Sequence, residues 1–215
     1  MAKSHRAFVL RHTRLRPIPG IESIRLHLAD DVLPLWHSLQ EETGDPDVAL
    51  PYWAFAWGGG LAIARYLADC PEVVAGHRVL DVASGSGLCA IAALRAGAVE
   101  VTCADIDPFA IAAAELNSRA NAYRIGVVRR DILDDEPPDV DVILAGDFAY
   151  EAGLAKRVLS WLRQAHERGI HVLIGDPGRR YLPIADLREL ASYAVRTTTE
   201  LEDLALKRGH VYTLG

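Results

Sequence analysis

Apolar and polar positions follow two different periods along the chain, and the period changes near residue 76. Between residues 61 and 70, apolar side chains recur at Ile63, Leu67 and Cys70, which is a helical spacing. After Gly76, short apolar runs alternate with longer amphipathic segments, as strands alternate with helices. This alternation predicts the α/β class: a doubly wound, Rossmann-like sheet of seven largely parallel strands with helices on both faces.

The predicted elements divide the chain into two parts. Strands are predicted over residues 78–83, 99–104, 127–129, 140–145, 170–175, 195–199 and 210–214, and helices over 87–96, 107–121, 151–168 and 183–194. Residues 20–43 are predicted to be mostly helical with an interruption at Pro34, and 44–60 form a loop rich in Pro, Gly and Trp. We therefore expect an N-terminal extension with lead-in helices over residues 1–44 and one domain over residues 45–215.

Composition narrows the function classes. The chain has 215 residues, half of them hydrophobic, yet no apolar run reaches the roughly 18 residues of a membrane span. Its net charge of −6 argues against a nucleic-acid partner. The three cysteines and eight histidines lack metal-ligand spacing, so we predict reduced thiols and no metal site. With no signal peptide and a strong preference for Arg over Lys, we expect a bacterial cytoplasmic protein.

The charges are unevenly distributed. Residues 1–25 carry six cations and one acid, whereas residues 30–50 and 131–141 each carry six acids and no cation. The simplest interpretation is solvated surface. The two acid runs flank the Trp-rich loop and the segment after the third predicted strand of the sheet, so they could also attract a basic partner surface.

A glycine turn follows the first predicted strand of the domain. The segment Val82-Ala83-Ser84-Gly85-Ser86-Gly87 leads directly into a predicted helix. Gly85 and Gly87 allow a tight turn and a close backbone approach to a nucleotide at the helix N-terminus. Taken alone, this pattern also fits a plain turn between a strand and a helix.

Acidic residues lie in or just after four predicted strands, and they indicate which nucleotide binds. They are Asp81, Asp105, Asp131 and Asp147. Asp105 lies 20 residues beyond Gly85, the spacing of a carboxylate that binds ribose hydroxyls, while Asp107 is more simply a helix N-cap. We expect the four acids to lie along one edge of the sheet, at the ends of its strands. Carboxylates there repel a pyrophosphate and suit the sulfonium and ammonium groups of S-adenosylmethionine. We therefore favour this methyl donor over NAD.

These blocks resemble class I S-adenosylmethionine-dependent methyltransferases. Within that class they are most similar to the electron-transfer flavoprotein β-subunit lysine methyltransferases and their bacterial relatives. The resemblance covers roughly residues 45–214. It depends on Pro51-Tyr52-Trp53 with Trp57, Asp81 to Gly87, Asp105-Ile106-Asp107-Pro108, Gly146-Asp147-Phe148-Ala149-Tyr150, and Ile174-Gly175-Asp176-Pro177-Gly178-Arg179.

The resemblance implies a role for each matching residue. The donor would be bound by Trp57, Asp81, Gly85, Ser86, Gly87, Asp105, Asp131, Ile132 and Gly146. Asp147 and Tyr150 would act on the incoming amine, and Trp53, Asp176 and Arg179 would lie on the substrate side. Three residues depart from the family pattern. Ala83 replaces a glycine, which predicts a somewhat different geometry of the turn. Gly58 replaces a proline and Ala149 a bulkier aromatic residue, which predicts a wider substrate channel.

The leading hypothesis is a protein-lysine N-methyltransferase acting on electron-transfer flavoprotein β subunit, with S-adenosylhomocysteine as the second product. Asp147 would bind the lysine ammonium, its proton would leave through water, and Trp53 or Tyr150 would face the cation. Two alternatives remain open: methylation of a ribosomal protein, a protein N-terminus or a small amine, and a non-catalytic or NAD-type nucleotide-binding protein. We expect a monomer without nucleic-acid or membrane partners, located in the mitochondrial matrix if the source is eukaryotic.

Overall fold

The computed structural model describes residues 4–196 and 206–215. The described chain begins with helix α1 (His5–His12), an antiparallel hairpin of strands β1 (Arg14–Ile18) and β2 (Ile21–Leu28), and helix α2 (Val32–Thr43). The predicted helix is therefore wrong over residues 21–28, where Ile24, Leu26 and Leu28 are buried with the alternating period of a strand. Pro34 does not interrupt α2 because it lies in the first turn, where a backbone N–H has no partner within the helix.

Within the described residues, seven strands form the main sheet. They are β3 (Arg78–Val82), β4 (Glu100–Ala104), β5 (Gly126–Val128), β6 (Val142–Gly146), β7 (His171–Asp176), β8 (Leu187–Arg196) and β9 (Leu206–Leu214). Their order is β5-β4-β3-β6-β7-β9-β8, with β3 to β7 parallel and β9 antiparallel to both of its neighbours. The order reverses between β3 and β6, so the carboxyl ends of these two strands border the crevice where such sheets bind ligands.

Four further helices cover the two faces of the sheet: α3 (Gly58–Asp69), α4 (Leu88–Arg95), α5 (Pro108–Ala120) and α6 (Ala152–Glu167). One buried core contains α3 and α4 with one side of the sheet, and a second contains α6 with the other side. The prediction of a doubly wound α/β sheet is thus confirmed.

The predicted helix over residues 183–194 is wrong. Leu187–Arg196 is strand β8, which pairs along its length with β9 and has one irregularity between Glu189 and Ala191. Leu, Glu, Arg and Ala in this segment favour a helix locally, but pairing with β9 decides the conformation. Residues 197–199 of the strand predicted at 195–199 lie outside the described residues.

The N-terminal segment shares a core with the sheet domain. Phe8 of α1 and Leu39 of α2 belong to the same buried cluster as Trp53 and Phe109. Asn117 of α5 adds a polar connection, because its side-chain N–H donates to the carbonyl of Ser86 at 2.8 Å and its oxygen accepts the backbone N–H of His27 at 2.6 Å. Residues before 44 therefore help to hold the glycine turn, which contains Ser86.

Many of the uneven charges pair with one another. The basic start contacts acids elsewhere through Arg6–Glu115, Arg11–Glu42 and Arg16–Asp30. The acid run at 131–141 contacts arginines through Asp131 and Asp134 with Arg157, Asp135 with Arg130, Glu136 with Arg168, and Asp139 and Asp141 with Arg78. Such exposed pairs contribute about 0–1 kcal/mol each. The six acids of the run at 131–141 are thus paired with four arginines of the same chain, and the attraction of a basic partner stays a prediction.

Candidate active site

A cavity of about 720 Å³ lies at the carboxyl ends of β3, β4 and β6 and is bordered by the Trp-rich loop. Its size is that of a pocket for a cofactor or a small ligand. All the residues that the sequence assigned to donor binding line it, except Gly87: Trp57, Asp81, Gly85, Ser86, Asp105, Asp131, Ile132 and Gly146. Asp147, Tyr150, Trp53 and Arg179 also line this cavity, whereas Asp176 does not.

The glycine turn has a left-handed backbone at three positions. Gly85 has φ +50°, Gly87 has φ +74°, and Ala83 has φ +51°. A Cβ on Gly87 would lie 3.0 Å from the Cβ of Ala114, so this glycine allows α4 and α5 to approach closely. Ala83 keeps the same type of backbone without being a glycine, at a cost of roughly 1 kcal/mol. The departure from the family pattern at Ala83 therefore leaves the turn intact.

Asp105 is fixed by the backbone of this turn. One of its oxygens accepts the N–H of Gly85 and the other accepts the N–H of Asp107, both at 2.9 Å. Burial raises the pKa of Asp105, and these backbone donors act against the rise. Asp107 caps α5 by accepting the N–H of Phe109 at 2.7 Å, which confirms its predicted N-cap role, and burial raises its pKa to about 6.

Asp81 lies deeper, beneath the glycine turn. It is buried, its Oδ2 accepts the N–H of Ala90 at 3.1 Å, and burial raises its pKa well above the ordinary value. Asp81 and Asp105 both line the cavity, and Asp81 is the more deeply buried of the two.

The opposite side of the donor cavity is more exposed. Asp131 accepts the N–H of Leu133 at 2.9 Å and pairs with Arg157 at 3.0 Å, and these interactions lower its pKa. Ile132 lines the cavity beside it, and so does Ile106, which is 71% exposed. Ile106 was not selected from the sequence. The signal available in the sequence was an apolar residue between two acids, just after a predicted strand.

Asp147 lies where β6 ends, and its conformation is strained. Its φ is +58°, a region that residues other than glycine rarely adopt. Its Oδ2 accepts the N–H of Gly60 in the first turn of α3 at 2.7 Å, and its Oδ1 lies 3.5 Å from Nη2 of Arg179. Burial raises the pKa of Asp147 to about 6, while the charge of Arg179 acts against that rise. The side chain is only 12% exposed.

A close contact between glycines brings α3 to Asp147. A Cβ on Gly59 would lie 2.2 Å from the carbonyl oxygen of Gly175, and a Cβ on Gly146 would lie 3.3 Å from the backbone of Gly60. Real Cβ atoms are not found 2.2 Å from a carbonyl oxygen. The start of α3 can therefore lie against β7 only because Gly59 and Gly175 are both glycines. Gly58, which replaces the proline expected from the family pattern, is the first residue of this helix.

Three aromatic rings line the cavity near Arg179, the partner of Asp147. Tyr52 lies with its ring centre 5.0 Å from Tyr150 and 5.6 Å from Trp57, and Cζ of Arg179 lies 5.9 Å from the ring centre of Trp57. Tyr150 is 44% exposed. Tyr52 was missed as a site residue, although it belongs to the Pro-Tyr-Trp block that the sequence analysis quoted.

Trp53 lines the cavity but is almost fully buried. It is 1% exposed, belongs to the core shared with α1 and α2, and its ring is stacked on Phe109 at 6.2 Å. These contacts are those of a packing residue, and the contact of Trp53 with a substrate cation stays a prediction. The apolar run from Trp53 to Ala56 indicated burial as strongly as function.

Asp176 holds the turn that carries Arg179. Its Oδ1 accepts the backbone N–H groups of Gly178 at 2.7 Å and Arg179 at 2.6 Å. Asp176 is buried, and burial raises its pKa. Its contacts are therefore those of a residue that positions Arg179.

The charges of the lining residues decide which ligand fits. Among the described residues, five carboxylates line the cavity, at Asp81, Asp105, Asp107, Asp131 and Asp147. Three arginines line it too, and each is paired with a carboxylate: Arg130 with Asp135, Arg157 with Asp131, and Arg179 with Asp147. This set of lining charges suits a ligand with positive groups better than one with a pyrophosphate.

Comparison with known proteins gives consistent similarities. The profile of the family "Ribosomal protein L11 methyltransferase (PrmA)" matches residues 65–151. Proteins named electron transfer flavoprotein beta subunit lysine methyltransferase are 36% identical in Xenopus laevis, over 97% of this chain and 86% of that protein, and 39% identical in Mus musculus, over 75% and 66%. The solved ribosomal protein L11 methylase of Lactobacillus delbrueckii is 23% identical with a TM-score of 0.50, covering 71% of this chain and 76% of that one.

The Xenopus laevis match also corrects the extent of the resemblance. Because it spans 97% of this chain, it includes most of residues 1–44, which the sequence analysis placed outside the resemblance. Within residues 4–196 and 206–215, no helix is long and apolar enough to cross a membrane. The same residues contain no group of three or more potential metal-ligating side chains.

Proposed function

The chain belongs to the electron transfer flavoprotein β-subunit lysine methyltransferase family, and on this premise we propose that it transfers a methyl group from S-adenosylmethionine to a lysine side chain of electron transfer flavoprotein β subunit. The observation that supports this proposal best is the Asp147 end of the cavity. There a buried carboxylate and three aromatic rings lie in the same cavity as the glycine turn and Asp105. A carboxylate with aromatic rings is the usual protein environment for an ammonium group.

The donor would be held by the backbone of the glycine turn, with Asp105 on the ribose, Ile106 and Ile132 beside the base, and Trp57 towards the methionine end. The donor supplies a methyl group activated by a positive sulfur. Catalysis then requires mainly orientation and a site that excludes water. The five lining carboxylates favour the positive sulfonium over an anionic ligand.

The acceptor lysine has an ordinary pKa of about 10.4 and must lose a proton before its nitrogen can attack. We propose that Asp147 binds the lysine ammonium and fixes its position, and that the proton then leaves through water. Tyr150 and Tyr52 would face the cation. These roles agree with the position of Asp147 at the carboxyl end of β6, next to the switch point of the sheet.

The direct test uses the full chain, labelled S-adenosylmethionine and purified electron transfer flavoprotein from the source organism. We expect label on the β subunit, located on a lysine by mass spectrometry, and strongly reduced labelling with the Asp147→Asn protein. An unlabelled β subunit in the presence of active enzyme would refute the substrate assignment.

Ribosomal protein L11 is the second candidate substrate, because the PrmA family profile matches residues 65–151. The same assay with purified L11, and with a lysate of the source organism, separates the two. Label on L11 alone, on a protein N-terminus or on small amines would favour the alternative functions. Sedimentation and cell fractionation would test the expected monomer and its location in the bacterial cytoplasm or the mitochondrial matrix.

A further inference from the structure

The acceptor end of the cavity already contains a cation. The guanidinium of Arg179 lies 3.5 Å from Oδ1 of Asp147 and 5.9 Å from the ring centre of Trp57. A carboxylate oxygen and an aromatic face are also the partners that a lysine ammonium requires. Arg179 therefore occupies the position where the proposed function places the substrate.

The backbone of Arg179 is fixed independently of its side chain. Asp176 accepts the N–H groups of Gly178 and Arg179, so the turn keeps its shape when the guanidinium leaves Asp147. The Arg179 side chain is 26% exposed, lies at the cavity wall and is long enough to rotate away without moving the turn. The arrangement thus combines a fixed base with a movable cation.

We propose that Arg179 is a resident counter-ion, which fills the ammonium position at Asp147 when no substrate is bound and moves aside when the substrate lysine enters. This inference rests on the proposed function, since it concerns the same acceptor site. The exchange replaces one cation by another, so the net charge beside the carboxylate is unchanged until the bound lysine loses its proton. Arg179 and the substrate ammonium would bind to the same carboxylate, so Arg179 competes with the substrate for it.

A cation beside Asp147 opposes the protonation of this largely buried carboxyl group. Asp147 is faced by Asp176, the last residue of β7, by Cys89 from α4 and by the backbone N–H groups at the start of α3. Burial and the charge of Asp176 both favour the protonated carboxyl, and Arg179 opposes them. Arg179 therefore keeps Asp147 in the charged form that attracts an ammonium.

The proposal predicts a split between KM and kcat in the Arg179→Gln protein. At pH 8.5, well above the pKa of about 6 that Asp147 has in the intact protein, loss of the competing guanidinium should lower KM for the protein substrate about fivefold, without a rise in kcat. Arg180→Gln is the matched control, because it removes the same charge from the next residue, whose guanidinium lies 5.1 Å from the Tyr181 ring centre. An unchanged or higher KM in Arg179→Gln would overturn the proposal.

The pH profile gives a second readout that a merely structural role would not move. Without Arg179, the pKa of Asp147 should rise, so the acidic limb of kcat/KM should shift to higher pH in Arg179→Gln. Arg179→Lys retains a cation and should keep the limb near its wild-type position. If both variants show the wild-type limb, or if both shift equally, Arg179 does not act through Asp147.

A binding experiment separates this inference from the proposed function. Butylammonium chloride is titrated, in the presence of S-adenosylhomocysteine, into the wild-type, Arg179→Gln and Arg180→Gln proteins. We expect about fivefold tighter binding to Arg179→Gln alone. Equal affinities would overturn the counter-ion inference even if the β subunit is methylated, whereas tighter binding together with an unlabelled β subunit would refute only the substrate assignment.

Discussion

The two ends of the cavity are built in different ways. At the donor end, Asp105 bonds to Gly85 and Asp107, which belong to the same β-α-β segment, and the glycine turn follows its strand directly. At the acceptor end, Asp147 bonds to Gly60, 87 positions earlier in the chain, and pairs with Arg179 from beyond β7. The donor end is therefore local in sequence, and the acceptor end exists only after α3, β6 and β7 have packed together.

This difference predicts different responses to mutation. Changes at the donor end should alter binding of the methyl donor and leave the rest of the molecule in place. Changes at the acceptor end should either disturb the packing of α3 on the sheet or alter turnover alone.

The largest expected effect comes from Gly59→Ala. Its Cβ would meet the carbonyl of Gly175 at 2.2 Å, so α3 must move away from β7, at a cost of about 3 kcal/mol or more. Gly60→Ala is the matched control, since its Cβ would meet only ordinary contacts at 3.6 Å. Urea unfolding measures both. Equal stability of the two variants would mean that α3 does not depend on this contact.

Asp147→Asn should reduce turnover by roughly 10² to 10³, because the charged partner of the ammonium is lost. The remaining side-chain oxygen can still accept the N–H of Gly60, so the fold and the affinity for S-adenosylmethionine should stay within about twofold of wild type. Steady-state kinetics and calorimetry with S-adenosylhomocysteine test this. Wild-type turnover would remove Asp147 from the reaction.

Asp105→Asn should have the reverse effect. The affinity for the donor should fall by roughly 10- to 100-fold, because an amide cannot replace a carboxylate that accepts two backbone N–H groups and the ribose hydroxyls. Asp107→Asn is the control, since asparagine is an equally good N-cap and should preserve donor binding. A weaker donor affinity in Asp107→Asn than in Asp105→Asn would contradict the assignment of the two acids.

Tyr150→Phe retains the ring contact with Tyr52 and loses only the hydroxyl. Turnover should fall about fivefold, the value of one ordinary hydrogen bond, with donor affinity unchanged. Tyr181→Phe, a similarly exposed tyrosine that does not line the cavity, should leave turnover unaffected. Identical kinetics of the two variants would remove the Tyr150 hydroxyl from the acceptor end.

The smallest expected effect is a change in protein stability from a substitution in the glycine turn. Ala83→Gly should stabilise the protein by about 0.5–1 kcal/mol, since glycine adopts the φ of +51° without strain. Ala122→Gly, at φ +64° beyond the end of α5, should give a similar gain and serves as a control away from the cavity. A loss of stability at position 83 alone would mean that the Ala83 methyl group makes contacts that outweigh the strain.

The sequence allowed prediction of the sheet domain because its signals are local. Strand β3, the glycine turn and the N-cap at Asp107 lie in one continuous segment, and each has a characteristic residue pattern. Two other regions were predicted wrongly. Strand β2 was read as a helix, and so was β8, which exists through pairing with β9.

At the acceptor end, the residue types were predictable but their arrangement was not. Asp147 was selected as an acid just after a predicted strand, and the roles of Asp147, Tyr150 and Arg179 came from the family resemblance. No pattern near residue 57 or residue 179 indicates that Trp57 and the Arg179 guanidinium meet. Trp53 and Tyr52 are adjacent, and only the folded chain shows that Trp53 enters the core while Tyr52 lines the cavity beside Tyr150.

The two hydrogen bonds of Asn117 have a consequence for how the protein opens. Its side chain joins the Ser86 carbonyl to the His27 amide, so separating either pair leaves a buried amide group unsatisfied, at a cost of about 1–3 kcal/mol. Strand β2 and the turn at Ser86 should therefore belong to one cooperative unit of local unfolding. Hydrogen exchange at the backbone amide of His27 would then slow when a ligand stabilises the turn, although this amide lies outside the cavity.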